Sequence, residues 1–282
     1  MRVHQWVKNI LLFVPLFLAH AWHDKSLIFT SLTAFVSFSL CASAFYIFND
    51  LSDLEADKLH PQKKSRPFAS GDLSIGTGIL LIPILLGISI LLSLTVNKTF
   101  FNVLITYAVL TGLYSFSLKK IVVLDVVVLA LFYSIRLFAG AVAVNVQISQ
   151  WLIAFSMFLF LSLAFAKRFS ELFAMRARKQ DKVNGRNYQA VDLEQVSQLG
   201  STSGYISVLV MALYVSSAEV ASLYSNSKLL WLICPLLLYW IGRTWILAHR
   251  GELHEDPIVF ALKDKPSYIV GFLAIAITLF AI

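Results

Sequence analysis

The stretch NDLSDLEAD, residues 49–57, follows a long apolar segment and concentrates carboxylates at its end. Asn49, Asp53 and Asp57 are spaced four residues apart, so on a helix they share one face, and Asp50 lies three residues before Asp53. Stacked acids repel one another unless a cation lies between them, and such oxygen ligands suit Mg²⁺ together with substrate phosphate oxygens. The stretch therefore predicts a Mg²⁺-diphosphate site at a membrane surface, with all four side chains as metal ligands.

Composition identifies a membrane protein. The chain has 282 residues, a mean hydropathy of +0.76 and only 14% charged residues. A soluble domain of this length needs far more polar surface, which excludes that class. The net charge of +7 does not indicate a nucleic-acid partner, because the cations are distributed unevenly between the connecting segments. Cys41 and Cys234 lie in apolar segments, so neither a disulfide framework nor a cysteine metal site is predicted.

The apolar segments predict an all-α integral membrane protein, because a helix needs about 20 apolar residues to cross a bilayer. Nine segments approach that length, namely 6–23, 27–49, 73–95, 99–117, 122–144, 150–170, 203–224, 228–248 and 266–282. We expect one domain over residues 1–282. The two longest polar connections, 50–72 and 168–202, are expected to form a cytoplasmic cap that carries the function.

Lysine and arginine predict the orientation. With a cytoplasmic N-terminus, nearly all of the 23 cations fall on the cytoplasmic side. Lys25, Lys98 and Lys228 fall on the other side, and Arg136 lies within a span. This asymmetry follows the positive-inside rule. It predicts a multi-pass protein of the inner (plasma) membrane with a cytoplasmic acidic stretch.

Cations lie beside the acids. His60-Pro61 and Lys63-Lys64-Ser65-Arg66-Pro67 follow the acidic stretch. Lys63, Lys64 and Arg66 are predicted to neutralise phosphate oxygens. The alternative is a solvated helix end, which this density of charge disfavours.

Two ionisable residues fall in or near the fifth span. A charged group in a span is costly and by default faces the bundle interior. Asp125 and Arg136 are eleven residues apart, about three helical turns, so they share a face. Arg136 is expected to meet a lipid phosphate or to bond to backbone carbonyls, and the residues do not decide between these. Tyr114 and Lys119 are expected to line the cytoplasmic mouth beside Asp125, with a structural role as the alternative.

These motifs resemble the UbiA superfamily of intramembrane prenyltransferases, whose first aspartate-rich motif is similar to NDxxDxxxD after the second of nine spans. The longer run NDLSDLEADKLHPQKKSRPFASG resembles a narrower branch that includes the decaprenyl-phosphate phosphoribosyltransferases. Further similar residues are Gln5, Trp6, Lys8 and Asn9, Tyr114-Ser115, Lys119, Asp125, Arg136, Lys167-Arg168-Phe169-Ser170-Glu171-Leu172, Asp256-Pro257 and Ala261-Leu262-Lys263-Asp264. The resemblance implies a nine-transmembrane-helix bundle of the UbiA type.

The chain departs from the superfamily pattern in the second long loop. Prenyl-diphosphate-using members carry a second DxxxD motif there, whereas this chain has KRFSE at 167–171. Lys167 and Arg168 are predicted to contact a phosphate directly. Glu171, three residues after Arg168, is predicted to orient its guanidinium or to help bind metal. The alternative is a positive-inside anchor at a helix end.

The resemblance implies a Mg²⁺-dependent transferase that moves phosphoribosyl from phosphoribosyl diphosphate to a polyprenyl phosphate. The alternative is prenyl transfer from a polyprenyl diphosphate to an aromatic or other small acceptor, and a third hypothesis is a transporter or lipid-binding protein. The expected partners are these substrates, membrane lipids and a separate phosphatase. The expected catalytic residues are Asp50, Asp53, Lys167, Arg168 and Glu171. The expected substrate-binding residues are Lys8, Asn9, Lys63, Lys64, Arg66, Tyr114, Lys119, Asp125 and Arg136.

Overall fold

The computed structural model describes residues 3–59, 63–177, 186–253, 257–261 and 263–282, and the regular structure of these residues is helical. The α-helices in chain order are α1 (Val14–Leu18), α2 (Lys25–Ser52), α3 (Leu54–Leu59), α4 (Ile75–Val96), α5 (Lys98–Phe116), α6 (Leu124–Ala143), α7 (Gln150–Ala177), α8 (Leu193–Val215), α9 (Ala218–Leu223), α10 (Ile233–His249), α11 (Pro257–Ala261) and α12 (Lys265–Ala281). Shorter 3₁₀ segments are Val3–Phe13, Lys63–Ser65, Leu118–Lys120, Ala190–Asp192 and Ser227–Leu232.

Among the residues that the structure describes, seven helical segments are long and apolar enough to cross a membrane, and two further apolar helices are shorter. The seven are Lys25–Ser52, Ile75–Val96, Lys98–Phe116, Leu124–Ala143, Gln150–Ala177, Ala190–Val215 and Ser227–His249. The shorter ones are Gln5–Leu18 and Lys265–Ala281. The all-helical, multi-pass membrane fold is therefore confirmed. The count of nine spanning helices and the cytoplasmic cap stay predictions, as does the single domain.

The largest correction concerns the connection predicted at 168–202. Helix α7 continues to Ala177 and α8 begins at Leu193, so helices occupy much of the segment that was expected to be a loop. The span predicted at 203–224 accordingly ends at Val215, and a new short helix begins at Ala218. Hydropathy missed these limits because a helix that leaves the hydrocarbon core keeps its backbone hydrogen bonds while its side chains become polar.

Two compact units make up the chain, and each has its own pair of long packed helices. Unit 1 comprises residues 1–117 and 135–148, and there α2 packs along α4. Reciprocal hydrogen bonds join these two helices, because the Ser37 hydroxyl donates to the Ser89 carbonyl at 2.8 Å and the Ser89 hydroxyl donates to the Ser37 carbonyl at 2.7 Å. Neither bond places a charge in the apolar interior.

Close approach in unit 1 depends on one glycine. A Cβ at Gly140 would lie 2.1 Å from the carbonyl oxygen of Leu12, which is far inside contact distance. Gly140 therefore lets α6 touch the backbone of the N-terminal helical segment. Asn97 adds a polar contact: its side chain caps α5 through the Phe100 N–H at 2.7 Å and donates to the Val142 carbonyl at 3.0 Å.

Unit 2 comprises residues 118–134 and 149–282, and there α7 packs along α8 with α10 against both. The buried core of this unit includes Phe165, Phe169, Ile241 and Trp245. The Trp245 indole N–H donates to the Ser162 hydroxyl at 3.0 Å, which satisfies the polar atom of a large buried ring. This core includes Phe169 and Leu172, which lie within the KRFSEL stretch that the sequence singled out on α7.

Candidate active site

The acidic stretch lies across a joint between two helices. Helix α2 ends at Ser52, Asp53 follows as its C-cap, and α3 begins at Leu54. The Asp53 N–H donates to the Asn49 carbonyl at 2.9 Å, and the Asp57 N–H donates to the Asp53 carbonyl at 2.8 Å. The four-residue hydrogen-bond spacing therefore persists through the joint, within the segment predicted as the polar connection 50–72.

Arg66 bridges two acids of this stretch. Its Nη1 forms a short ion pair with Asp57 and lies 3.3 Å from Asp50 Oδ1. The Asp50 and Asp57 side chains are almost fully buried, at 8% and 3% exposure, whereas Arg66 is 25% exposed. The cation that stacked acids require is thus supplied by the chain itself at this position. The phosphate-binding role predicted for Arg66 stays a prediction.

The donor chemistry of the stretch fits Mg²⁺. Asp50 and Asp57 already share one cation, the Arg66 guanidinium. The partly buried Asn49 and Asp53 add further side-chain oxygens, and backbone hydrogen bonds join Asn49, Asp53 and Asp57 in series. Within the described residues, no group of three or more His, Cys, Asp or Glu side chains is arranged to hold a metal ion. Mg²⁺ usually binds through one or two carboxylates and substrate phosphates, so a complete protein cage is not required.

The other predicted groups of unit 1 are spread between the surface and the interior. Lys64 is exposed, Tyr114 is partly buried on α5, and Lys8 is buried on the N-terminal helical segment. The side chain of Lys63 lies outside the described part of the chain, as do His60-Pro61.

Arg136 and Asn9 form a buried network with Tyr107. Arg136 Nε donates to the Asn9 side-chain oxygen at 2.7 Å, and its Nη2 donates to the Tyr107 hydroxyl at 3.0 Å. Asn9 in turn donates to the Ser39 hydroxyl at 2.8 Å. The Arg136 guanidinium also lies 5.5 Å from the centre of the Phe38 ring. The side chains that bind Arg136 were not foreseen, and the network links α2, α5 and α6 to the N-terminal segment.

A second charged cluster lies in unit 2, and its centre is fully buried. Arg168 and Asp125 are both 0% exposed, and Arg168 Nη2 lies 2.6 Å from Asp125 Oδ2. Arg168 Nη1 forms a short ion pair with Glu171, one helical turn along α7. The contact predicted from the three-residue spacing is therefore present. Arg168 itself is enclosed, and its predicted contact with a phosphate stays a prediction.

Two members of this cluster were missed by the sequence reasoning. Arg186 Nη1 lies 2.6 Å from the same Glu171 oxygen that pairs with Arg168, and its side chain is 24% exposed. The Tyr188 hydroxyl donates to Asp125 Oδ1 at 2.7 Å. A buried carboxylate needs a donor, but the chain has ten tyrosines and nothing in their spacing identifies this one.

The turn before α6 is strained beside this cluster. Val123 has a φ of +67°, a left-handed conformation that is an outlier for a β-branched residue. Its N–H donates to the Tyr188 hydroxyl at 2.9 Å. Burial, and then the hydrogen bond to Asp125, raise the pKa of Tyr188 well above its usual value, so the phenol stays protonated and donates at neutral pH. Lys119 and Lys167 are partly buried members of the same unit.

Comparison with known proteins supplies the family. The sequence matches the model of the UbiA prenyltransferase family over residues 10–279. The uncharacterized protein y4nM of Sinorhizobium fredii is 39% identical over 97% of this chain, which spans about half (53%) of that relative's length. Nodulation protein NoeC of Azorhizobium caulinodans is 34% identical over 95% of this chain and 87% of its own length. Decaprenyl-phosphate phosphoribosyltransferase of Mycobacterium tuberculosis is 30% identical over 98% of this chain and 89% of its own.

Solved structures agree on the fold. A UbiA homolog from Archaeoglobus fulgidus bound to DMAPP and Mg²⁺ superimposes with a TM-score of 0.71, at 17% identity, over 99% of this chain and 96% of its own. At that identity the likeness concerns the fold alone. Together with the family match over nearly the whole sequence, it shows that the chain belongs to the UbiA prenyltransferase family.

Proposed function

We propose that this membrane transferase moves a phosphoribosyl group from phosphoribosyl diphosphate to a polyprenyl phosphate. The observation that carries the proposal is the state of the carboxylates in unit 2. Asp125 and Glu171 bind arginines, where an acidic clamp for a second metal would leave carboxylates available to a cation. Arginines at this place suit a reaction in which both substrates carry phosphate, because guanidinium groups bind phosphate oxygens.

The relatives support the same choice. Decaprenyl-phosphate phosphoribosyltransferases match this chain along nearly all of its length. NoeC and y4nM share more identical residues with the chain, and their names do not specify a substrate. The proposal therefore does not specify the length of the polyprenyl chain. It specifies the transferred group, phosphoribosyl, and this can be tested.

In the proposed reaction, different residues bind the metal ion and the substrate phosphates. Bound Mg²⁺ would neutralise the donor diphosphate and stabilise the charge that develops on it as the anomeric C–O bond breaks. This Mg²⁺ would be held by Asn49, Asp50, Asp53 and Asp57. A lipid phosphate is already an anionic nucleophile, so no residue needs to remove a proton from it. The partly exposed Arg186 and Lys167, which precedes Arg168 on α7, would bind a phosphate group.

The membrane arrangement is part of the proposal. The distribution of lysine and arginine favours a cytoplasmic N-terminus and an acidic stretch on the cytoplasmic side of the plasma membrane. Phosphoribosyl diphosphate is a water-soluble anion, which suits a cytoplasmic entry. The polyprenyl chain would lie among membrane lipids. The phosphatase partner stays a prediction from the resemblance.

The direct test incubates purified protein with Mg²⁺, polyprenyl phosphate and phosphoribosyl diphosphate labelled in the sugar. Label should enter the lipid fraction. Asp53→Asn should abolish that transfer, whereas the matched control Glu55→Gln should retain it, because Glu55 is exposed and pairs only locally with Lys58 in the described contacts. If both variants transfer label equally, the assignment of the acidic stretch is wrong.

A second candidate activity is prenyl transfer from a polyprenyl diphosphate to a small acceptor. Digeranylgeranylglyceryl phosphate synthase of Sulfolobus acidocaldarius is 27% identical over 70% of this chain, so the family includes such a relative. The same preparation, given labelled prenyl diphosphate and candidate acceptors, separates the two activities. Label that moves only from the prenyl diphosphate would reject phosphoribosyl transfer.

A further inference from the structure

One hydroxyl group in unit 2 joins a strained turn to a buried ion pair. The Tyr188 side chain is buried, with the residue 1% exposed. Its oxygen accepts from the Val123 N–H at 2.9 Å and donates to Asp125 Oδ1 at 2.7 Å. Both hydrogen-bonding capacities of the phenol are therefore used, one on backbone and one on a carboxylate.

The backbone bond matters because Val123 directly precedes helix α6. The Val123 carbonyl accepts from the N–H groups of Val126 and Val127, both at 3.0 Å, so this residue forms the first turn of the helix. Its φ of +67° is one that valine rarely adopts. A residue in such a conformation persists when its surroundings hold it there, and the Tyr188 hydroxyl is one of the groups that do so.

The carboxylate bond matters because it fixes the arginines. Asp125 holds Arg168 Nη2 at 2.6 Å with both side chains fully buried, and the Arg168 guanidinium stands 5.3 Å from the centre of the Tyr188 ring. Arg168 and Arg186 then share Glu171. A chain of direct contacts thus runs from the phenol through Asp125, Arg168 and Glu171 to the partly exposed Arg186.

We infer that Tyr188 is a positioning residue: it holds Asp125 against Arg168 and, through Glu171, sets the orientation of the phosphate-binding Arg186. The assignment of Arg186 to a phosphate rests on the proposed function. The hydrogen bond between the Tyr188 hydroxyl and the strained turn at Val123 does not depend on the proposed function. The role has two separable parts, since the Val123 bond stabilises the turn and the Asp125 bond orients the charged groups.

The test uses Tyr188→Phe, Val123→Gly and the double variant, with Tyr239→Phe as a control because Tyr239 is 55% exposed on α10. Tyr188→Phe should lower the midpoint of thermal unfolding by several degrees. That loss should shrink in the Val123→Gly background, because glycine adopts a positive φ without support. Equal losses in both backgrounds would overturn the link between Tyr188 and the strained turn.

The kinetic readout separates positioning from stability. At a temperature where every variant is folded, Tyr188→Phe should reduce kcat by about tenfold while each KM changes by less than about twofold, because small misplacements of charge act mainly on the transition state. The double variant should regain stability but not kcat. Full recovery of kcat in the double variant, or an unchanged kcat in Tyr188→Phe, would overturn the positioning role.

Failure of the proposed function gives a different pattern. If phosphoribosyl transfer is absent, the same kinetic comparison is made with labelled prenyl diphosphate, and the thermal comparison needs no substrate. A normal coupling between Val123 and Tyr188 without any phosphoribosyl transfer would therefore reject the function and retain the contact. Loss of the coupling between Val123 and Tyr188, with phosphoribosyl transfer intact, would reject the contact and retain the function.

Discussion

Arg66 in unit 1 and Arg168 in unit 2 each bridge two carboxylates, but their surroundings differ. Arg66 is 25% exposed, and a third acid, Asp53, accepts the backbone hydrogen bond of Asp57, one of its two partners. Arg168 is completely buried, and a second arginine and a tyrosine complete its cluster. A partly exposed guanidinium between acids can exchange with another cation, whereas an enclosed one is part of the folded core. The bridge at Arg66 is therefore suited to exchange, and the bridge at Arg168 to hold its neighbours in place.

The largest predicted effect is that of Arg168→Ala. Removing one partner of a buried ion pair leaves Asp125 charged and enclosed, which should cost about 3–5 kcal/mol of the free energy of unfolding. Denaturant titration in detergent micelles, followed by tryptophan fluorescence, would measure it. A loss below about 1 kcal/mol, the value typical of an exposed pair, would remove the contrast between the two arginines.

Arg66→Ala should have a smaller effect, about 2 kcal/mol, because it removes charge-assisted hydrogen bonds from a partly exposed pair. Millimolar Mg²⁺ should recover part of this loss, since a divalent cation can then occupy the space between Asp50 and Asp57. Arg168→Ala is the matched control and should show no recovery. Equal recovery, or none in either variant, would show that the two bridges do not differ in exchangeability.

The turns of the two units offer a third comparison. Asn145 in unit 1 has a φ of +55°, which asparagine tolerates, whereas Val123 in unit 2 has a φ of +67°. Val123→Gly should therefore raise the free energy of unfolding by about 1 kcal/mol. Val122→Gly is the control, because Val122 is equally exposed and lacks a positive φ. A stabilised control, or a destabilised Val123→Gly, would contradict the presence of strain at the turn.

The smallest effect concerns Asp264, which pairs with Arg243 at 2.8 and 2.9 Å. Burial raises the pKa of Asp264, but the hydrogen bonds from Arg243 and Ser267 outweigh burial and leave the pKa below its ordinary value of 3.8. The stabilisation by this carboxylate is therefore fully present above that value and is lost as pH falls through the lower, folded-state pKa. Thermal midpoints of the wild type and Asp264→Asn should converge below about pH 4. Parallel curves would show that the pair does not contribute.

Sequence reasoning predicted features that depend on local patterns. Hydropathy gave the helical membrane fold, and the three-residue spacing of Arg168 and Glu171 gave their contact. The joint at Asp53 lies within the connection predicted at 50–72, and the spacing of the acids does not reveal it, because a C-cap there keeps the four-residue hydrogen-bond spacing of a helix. Asp125 and Tyr188 are 63 residues apart, so their bond depends on packing that no local pattern encodes. The prediction that Asp125 and Arg136 share a face did not reveal that each has its partners in a different unit.

The paired serines between α2 and α4 have a consequence for how these helices sit in a lipid bilayer. Each serine both gives a hydrogen bond to the other helix's backbone and receives one from it, so a slide of either helix by one turn would break both bonds at once. Apolar side chains give little resistance to such a slide, because lipid solvates them equally well at any depth. Ser37 and Ser89 therefore fix the relative depth of α2 and α4, and with it the level in the bilayer at which α2 ends and the acidic stretch begins.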